Sequence, residues 1–330
     1  MAEAPDRMKR CGPPRCCCRG GCFEVLIELL FLVWLAALVK SLVRLCRAAN
    51  RDRGRPREGN IPAWAYRQPD PLIYSQQYLQ SLGLAVTWHN PDIQLELPGV
   101  PGVEVDSHAL LPDTDYVVVS RVWNGATTAP APGLPVKVSY LEFGIGTTRH
   151  EVGITKVDLP AKGAAGCPAT ARVGWHTPPA PGHYCLQVEL LWDDDAQPGN
   201  NLGQHNTDVK ALNSPHAAFT FPVRNDRPER RLITIELDGY TIPPLDPCGE
   251  ERHERAGWLA RHQRWAWPVP DGWRVIADPS ELALAAGESA EVTVDVTAPD
   301  GFVGRQAINV HALSDPYLLG GVTLYVDGSG

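Results

Sequence analysis

The sequence predicts an all-β protein in which two β-sandwich modules in tandem follow a single N-terminal membrane helix. Beyond about residue 111, apolar residues recur at every second position in short runs, which is typical of strands with one buried face. Proline and glycine number 31 and 30 of 330 residues and gather between those runs, as tight turns require. One uninterrupted apolar stretch precedes all of these strands and predicts the helix.

Charge is distributed unevenly along the chain. Residues 1–60 carry twelve Lys and Arg against six Asp and Glu, and the other 270 residues carry eighteen against thirty-two. The net charge of −8 is therefore the sum of +6 and −14. Because nucleic-acid-binding domains carry their basic residues on a folded face, we expect no nucleic-acid partner. The pattern indicates a basic region beside a membrane, followed by an acidic body.

The membrane helix is predicted over residues 24–45, after a Cys- and Arg-rich tail at 1–23. Its nineteen-residue core gives about 28 Å of helix, close to the roughly 30 Å of a hydrocarbon core. That core includes Val25, Leu30, Trp34, Val39 and Val43. We prefer a single-pass anchor to a cleaved signal peptide, because charge follows the apolar run without a small-residue cleavage site. A buried helix of a soluble domain is the other alternative, but no helical partner is evident nearby.

The bilayer is thus the first expected partner, and the same helix could join copies of the chain into an oligomer. Two arguments on orientation disagree. Basic residues after the helix outnumber those before it, which by the positive-inside rule places the body in the cytoplasm. The family resemblance given below favours the outside, which we adopt. Residues 46–70 are charged and Pro-bearing and are interpreted as a linker.

Six of the nine cysteines lie in or beside the membrane segment, without the paired C-x-x-C spacing of a structural zinc site. We interpret them as part of a reduced tail, with reversible acylation as the alternative. Only Cys167, Cys185 and Cys248 remain in the body. The sequence permits one Cys167–Cys185 disulfide. Alternation with Gln187 and Glu189 predicts that Cys185 faces outwards from its strand.

The first sandwich is predicted over residues 71–212 and the second over residues 213–330. Alternating strands of the first lie at 116–123, 136–140 and 184–190, and those of the second at 233–238, 291–296, 308–311 and 322–326. The segment 249–267 breaks the alternation and is bounded by prolines. It is predicted to be a helical insertion in the second sandwich.

Two stretches resemble bacterial modules of immunoglobulin-like fold. The run LPDTDYVVVSRVWNGATTAPAPGLPVKVSY, followed by PGHYCLQVELLWDDDAQPGNNLGQHN, resembles the cell-adhesion-related domain of bacteria, at about 111–212. The run GWRVIADPSELALAAGESAEVTVDVTAPDGFVGRQAINVHALS resembles the Ig-like domain that accompanies glycosidases and surface proteins, at about 272–328. The resemblance implies two immunoglobulin-like sandwiches that serve as adhesins, spacers or assembly parts. The opening segment 71–111 fits neither pattern.

One polar cluster in the first module could supply oxygen ligands to calcium: Asp193, Asp194, Asp195 and Asn200. Its spacing is not that of a calcium loop, and such residues close turns through their own hydrogen bonds, so we prefer a turn. The Gly144-Ile145-Gly146 run lacks a following helix and predicts no phosphate site. No nucleophile stands with a base in a known pattern, so we expect neither enzymatic activity nor a cofactor.

The insertion carries the candidate partner-binding residues: Trp258, Arg261, Arg264 and Trp265. On a helix, Trp258, His262 and Trp265 share one face, with the arginines over much of the remainder. In one interpretation this face covers an edge of the second sandwich. In the other, the tryptophans and arginines contact a partner protein.

The sequence therefore favours a membrane-anchored binding or scaffolding protein whose two modules present loops and edges to an unknown protein. The alternative is a metal- or ligand-dependent sensor or enzyme, with its site around the Trp-rich insertion and the Asp-rich loop. A ligand-sized pocket lined by those residues would favour the alternative.

Overall fold

The computed structural model describes residues 68–142, 144–180, 182–209, 216–242 and 262–328. The predicted tail, the membrane helix, nearly all of the linker and most of the insertion lie outside these ranges. The described residues include no helix with the length and hydropathy of a membrane span. They form fifteen strands and one α-helix, α1 (Gln76–Ser81), which confirms the all-β prediction for this part of the chain.

The first sandwich consists of two antiparallel sheets, of four strands each. In one sheet, β1 and β2 pair with one edge of β3 and β6 pairs with the other; these strands are β1 (Pro71–Leu72), β2 (Ile93–Glu96), β3 (Asp115–Asn124) and β6 (Ala169–His176). The other sheet has the order β5-β4-β7-β8; these strands are β4 (Ala131–Glu142), β5 (Arg149–Leu159), β7 (Gly182–Leu190) and β8 (Leu202–Val209). Two antiparallel sheets packed face to face are the architecture that immunoglobulin-like modules share.

The second sandwich is built in the same way from seven strands. Its larger sheet has the order β12-β10-β14-β15 and its smaller sheet the order β11-β13-β9. The strands are β9 (His216–Arg224), β10 (Arg231–Asp238), β11 (Arg274–Asp278), β12 (Glu281–Leu284), β13 (Ser289–Thr297), β14 (Gly304–Ser314) and β15 (Tyr317–Gly328).

Each sandwich has its own apolar core. Val118, Val136 and Val188 are fully enclosed in the first, and Val294 and Ile308 in the second. These are the positions that period-two alternation places on the dry faces. The local pattern of the sequence therefore correctly identified both cores.

The loop between β4 and β5 attaches the first sandwich to the second. Ile145 lies in the core of the second sandwich, where its N–H donates to the carbonyl of Pro222 at 2.9 Å and its carbonyl accepts from Arg224 N–H at 2.8 Å. Gly144 and Gly146 both have positive φ, and a Cβ on either would collide with the backbone of β9. Only glycine permits this approach on both sides of Ile145.

The outward face of β7 is covered, although the sequence predicts Cys185 on an outer, solvated face. Cys185 does point away from the core of the first sandwich, but it is buried, as is Gln187 beside it. Side chains on the outer face of β7 line the contact region with the second sandwich. Residues that point away from the core of the first sandwich are therefore still buried on this strand. Cys185 and Cys167 are both free thiols, so the disulfide that the sequence permits is not formed.

Candidate functional site

The opening segment that fits neither family pattern joins the two sandwiches. Residues 73–92 connect β1 to β2 and include α1, whose N-cap Ser75 accepts from Tyr78 N–H. The buried Gln76 side chain fixes α1 to the first sandwich, because its amide nitrogen donates to the carbonyls of Thr87 and Gln204 at 3.1 and 2.7 Å. Beyond α1, residues 86–88 of the same segment contact the second sandwich.

Trp88 is the centre of that contact and is 0% exposed. It packs with Val86 against Leu313 and Leu318, which flank the turn between β14 and β15. At Gly321 of β15 a Cβ would collide with the indole ring of Trp88. The glycine therefore opens the space in the second sandwich that the indole fills.

A buried polar network surrounds the indole. Its Nε1–H donates to Nδ1 of His311 at 3.2 Å, and its backbone N–H donates to Thr323 Oγ1 at 2.9 Å. Because the indole nitrogen can only donate, Nδ1 of His311 must accept and the ring proton lies on Nε2. Nε2 lies 2.8 Å from Asp238 Oδ2 and donates to it.

The network continues on the side of the second sandwich. Asn309 donates from Nδ2 to Asp238 Oδ1 at 2.7 Å and accepts from Thr323 Oγ1 at 2.7 Å. The N–H of Tyr240 donates to the same Asp238 oxygen at 2.9 Å. His311 and Thr323, the two residues that accept from Trp88, are thus each oriented by a further hydrogen bond, which favours one docking geometry.

A cleft of about 760 Å³ opens beside this contact. Its walls come from both sandwiches: α1, the loop between β4 and β5 and the outer face of β7 on one side, and the turn between β14 and β15 on the other. The lining is mixed, with several glutamines, Tyr317, Leu319 and the two glycines Gly320 and Gly321. Its size is that of a typical ligand pocket.

Gln187 is the most informative residue of the cleft. It is 5% exposed, and its Oε1 has no hydrogen-bond partner. Gln77 on α1 also lines the cleft, and its own buried Oε1 is likewise unpartnered. An unpaired buried amide oxygen costs about 1–3 kcal/mol, so these two acceptors favour a donor from a ligand.

The charges at the cleft are neutralised within the protein. Arg149 lies 3.4 Å from Glu189, and Arg231 lies 2.6 Å from Glu229. Burial raises the pKa of the Cys185 thiol at its floor to about 12, so this cysteine is a neutral thiol at physiological pH and a poor nucleophile. The cleft is therefore suited to a neutral ligand with hydrogen-bond donors.

A second recess, of about 490 Å³, contains a cluster of rings. The His89 ring lies 4.8 Å from that of His205 and 5.8 Å from that of His108, which in turn lies 4.4 Å from Tyr325 of the second sandwich. Burial, with the nearby charge of His108, lowers the pKa of His89 to about 4. No three His, Cys, Asp or Glu side chains in the described ranges are arranged to hold a metal ion.

The candidate partner-binding residues of the insertion are only partly described. Trp258 and Arg261 lie outside the described ranges, while Arg264 and Trp265 belong to a short 3₁₀ turn at Arg264–Ala266. Arg264 forms an ion pair with Glu236 of β10, and Trp265 is 78% exposed. The predicted helix does not extend through residues 262–267.

The reason for this correction lies in the contacts of that segment. Gln263 forms a β-bridge with Leu84, and the carbonyl of His262 accepts from Ala85 N–H at 2.7 Å. These contacts hold the backbone extended against the opening segment of the first module. His262 is buried beside Tyr240, so it does not share an exposed face with Trp265.

The Asp-rich loop forms a turn, as preferred from the sequence. Asp195 accepts from Gln197 N–H and from the Asn201 amide, both at 2.7 Å. Asp194 accepts from Gln68 at 2.9 Å, and Asn200 donates to Asp70 at 3.0 Å. Asp193 precedes these bonded residues in the same loop. The loop thus binds the start of the described chain through Asp194 and Asn200, and of its residues only Gly199 lines the cleft.

Sequence reasoning missed Trp88 and Gln187. The opening segment carried one signal: it fitted neither module pattern, yet it contains a tryptophan, Trp88, between the polar residues Thr87 and His89. Gln187 carried none, because an outward glutamine on an amphipathic strand is ordinary.

Neither protein-family models nor curated protein sequences match this chain. Among solved structures, this chain is similar to Escherichia coli alpha-2-macroglobulin activated by porcine elastase. The match covers 72% of this chain and 22% of that protein's chain, at 11% sequence identity and a TM-score of 0.23. It is also similar to a glycosyl hydrolase family 2 member from Bacteroides cellulosilyticus. That match covers 71% of this chain and 28% of the hydrolase chain, at 10% sequence identity and a TM-score of 0.20. The matched part is less than a third of either larger protein.

Proposed function

We propose that this chain is a membrane-anchored, non-catalytic binding protein whose two sandwiches act as one recognition unit outside the cytoplasm. The cleft between the sandwiches holds an extended segment of a partner protein. The observation that carries this proposal is the unpartnered Oε1 of the buried Gln187, on the floor of a cleft with walls from both modules.

A peptide main chain supplies the donors that this cleft lacks. Its N–H groups match the free amide oxygens of Gln187 and Gln77. The neutralised arginines do not select a charged ligand, and Tyr317 at 64% exposure offers a ring to an apolar side chain. The resemblance to adhesion-related modules supports a binding role, and the apolar span at 24–45 supports a tether.

The opposing proposal, a sensor or enzyme centred on the insertion and the Asp-rich loop, has less support. The carboxylates of Asp194 and Asp195 already accept hydrogen bonds from Gln68 and from Gln197. The cleft is lined by other residues, and its cysteine is a neutral thiol.

Peptide selection on the full chain in lipid nanodiscs tests the cleft. We expect selected peptides to bind the wild type and to lose roughly ten- to a hundredfold in affinity with Gln187→Leu, because one buried hydrogen bond is removed. The matched control is Gln94→Leu, which removes a glutamine of β2 that bonds to the exposed Glu104 instead. Equal binding by Gln187→Leu, or the absence of any selected peptide, would contradict the proposal.

The tether is tested separately. We expect the chain to stay with membranes in high salt and to require detergent for release. Salt screens only the attraction between the basic residues near the predicted helix and the membrane surface. Protease added to intact cells should digest the sandwiches if they lie outside. Release by salt alone would overturn the anchor, and full protection would overturn the orientation.

A further inference from the structure

We propose that two copies of this chain pair through the free edge of β5, in an antiparallel, two-fold arrangement centred on Ile154. The two β5-β4-β7-β8 sheets would then form one continuous sheet of eight strands. The occupant of the edge is a second copy of the same chain. This surface shares only Arg149 with the lining of the cleft.

The first observation is that β5 is an edge strand: its inward face packs against β6 of the facing sheet, and its edge away from β4 is unpaired within the described chain. Within the described chain it pairs only with β4 and ends its sheet. Its inward-facing Thr155 and Val157 are only half-buried, and its outward-facing Ile154 is 53% exposed at the middle of the strand. An edge of eleven residues with an exposed isoleucine at its centre is a template for strand addition.

The second observation is a bulge that arranges the outward face. Val138 of β4 lies opposite Gly153 and Ser139 opposite Glu151, so Val152 is an extra residue in β5. Because of this extra residue, alternation restarts after Glu151. The exposed side chains are Arg149, Glu151, Ile154, Lys156 and Asp158.

These side chains are self-complementary. If Ile154 faces Ile154 of the second copy and each bulge is accommodated, Lys156 faces Glu151 and Asp158 faces Arg149. The two-fold axis repeats both pairs, which gives four opposite-charge contacts around one apolar centre. Centring the pairing on Lys156 instead would oppose two lysines, so the charges specify the register.

The charges are available for this exchange. Lys156 makes no ion pair within the described chain, whereas Glu151 lies 3.3 Å from Lys137 and Arg149 lies 3.4 Å from Glu189. Those pairs are at the surface and contribute little to stability, so they can be replaced or shared. Charges and a bulge can also serve to keep an edge unpaired. If they do so here, copies of the chain should not pair through β5, which cysteine cross-linking can detect.

Cysteine cross-linking tests the geometry in the full chain in nanodiscs, with the six N-terminal cysteines replaced by serine. Directly opposite residues of antiparallel strands have Cα atoms about 4.5–5.5 Å apart, within disulfide range. We expect Ile154→Cys to form a disulfide-linked dimer on mild oxidation. Val303→Cys, at an exposed loop of the second sandwich, should not. Equal cross-linking at both positions would overturn the proposal.

Charge exchange tests the register and separates it from dimerisation by the membrane helix. We expect Lys156→Glu to weaken dimerisation roughly tenfold, because it opposes Glu151 twice. The double variant Glu151→Lys with Lys156→Glu should restore it, because each pair is again of opposite charge. Both positions are exposed, and unchanged thermal melting confirms the fold. A dimer insensitive to Lys156→Glu, or one that the double variant does not restore, refutes pairing through β5.

Discussion

The two cores of this protein and the contact between its sandwiches are built from opposite chemistry. Each core is a set of mostly aliphatic side chains on alternate strand positions, and residues of similar volume could exchange there with little loss of stability. The contact instead places one indole, Trp88, in a network of directional hydrogen bonds to His311, Thr323 and Asp238.

The difference shows that the cores and the contact make different contributions, one to stability and the other to orientation. Burial of the cores supplies most of the stability, because it scales with apolar area and needs no particular partner. The polar contact supplies little net energy per hydrogen bond but fixes the orientation of one sandwich on the other. The cleft depends on that orientation, since its walls belong to both.

The largest effect is expected from a charge in a core. Val294→Asp places an unpaired carboxylate in the enclosed centre of the second sandwich, which costs about 3–5 kcal/mol. We expect this variant to lack the single cooperative thermal transition of the wild type, as measured by circular dichroism. Leu232→Asp, at an exposed position of β10, is the matched control and should melt normally. Similar melting of both variants would mean that this core is not tightly packed.

The next effect concerns the contact itself. Trp88→Ala leaves a large cavity between the sandwiches and is expected to lower stability by about 3–5 kcal/mol. In calorimetry, we expect the wild type to unfold in one transition and this variant in two, because the sandwiches no longer stabilise each other. Gly321→Ala should act in the same direction, since its Cβ would displace the indole.

The matched control is Gly174→Ala on β6, where a Cβ has no atom within 4 Å. It is expected to leave the single transition unchanged. Two transitions in the wild type would show that the contact does not couple the sandwiches.

A smaller, pH-dependent effect is expected at His89. Its pKa in the folded protein is lowered to about 4 from 6.5. The His89 imidazole therefore binds a proton more tightly in the unfolded chain than in the folded protein. Stability from the neutral ring is complete above pH 6.5 and is lost as pH falls towards 4, by at most about 3 kcal/mol. Urea unfolding at pH 7.5 and 4.5 measures the loss, and His89→Gln should reduce it. An identical pH dependence in both proteins would contradict this assignment.

The smallest effect is expected at the end of the insertion. Arg264→Gln removes the ion pair with Glu236, both partners being partly exposed, and should cost about 0.5 kcal/mol or less. A double-mutant cycle with Glu236→Gln isolates the coupling. A loss of several kcal/mol would mean that this segment contributes to the contact as strongly as Trp88 does.

The sequence by itself determined seven of the fifteen described strands (β3, β4, β7, β10, β13, β14 and β15), their dry faces and the turn at Asp195. These features are local, because a period of two reports one buried face and an Asp side chain closes a turn over two residues. Val118, Val136, Val188 and Val294 could therefore be assigned to cores without any knowledge of which strands pair.

Only the tertiary structure decided which of the other faces is covered. Cys185 and Gln187 alternate like solvated residues, yet the region between the sandwiches buries them. Ile145, beside its two glycines, and Trp88 insert into a sandwich that begins more than seventy residues later in the chain. Alternation cannot encode this, because it describes how a strand meets its own sheet and carries no information about contacts made by a second module.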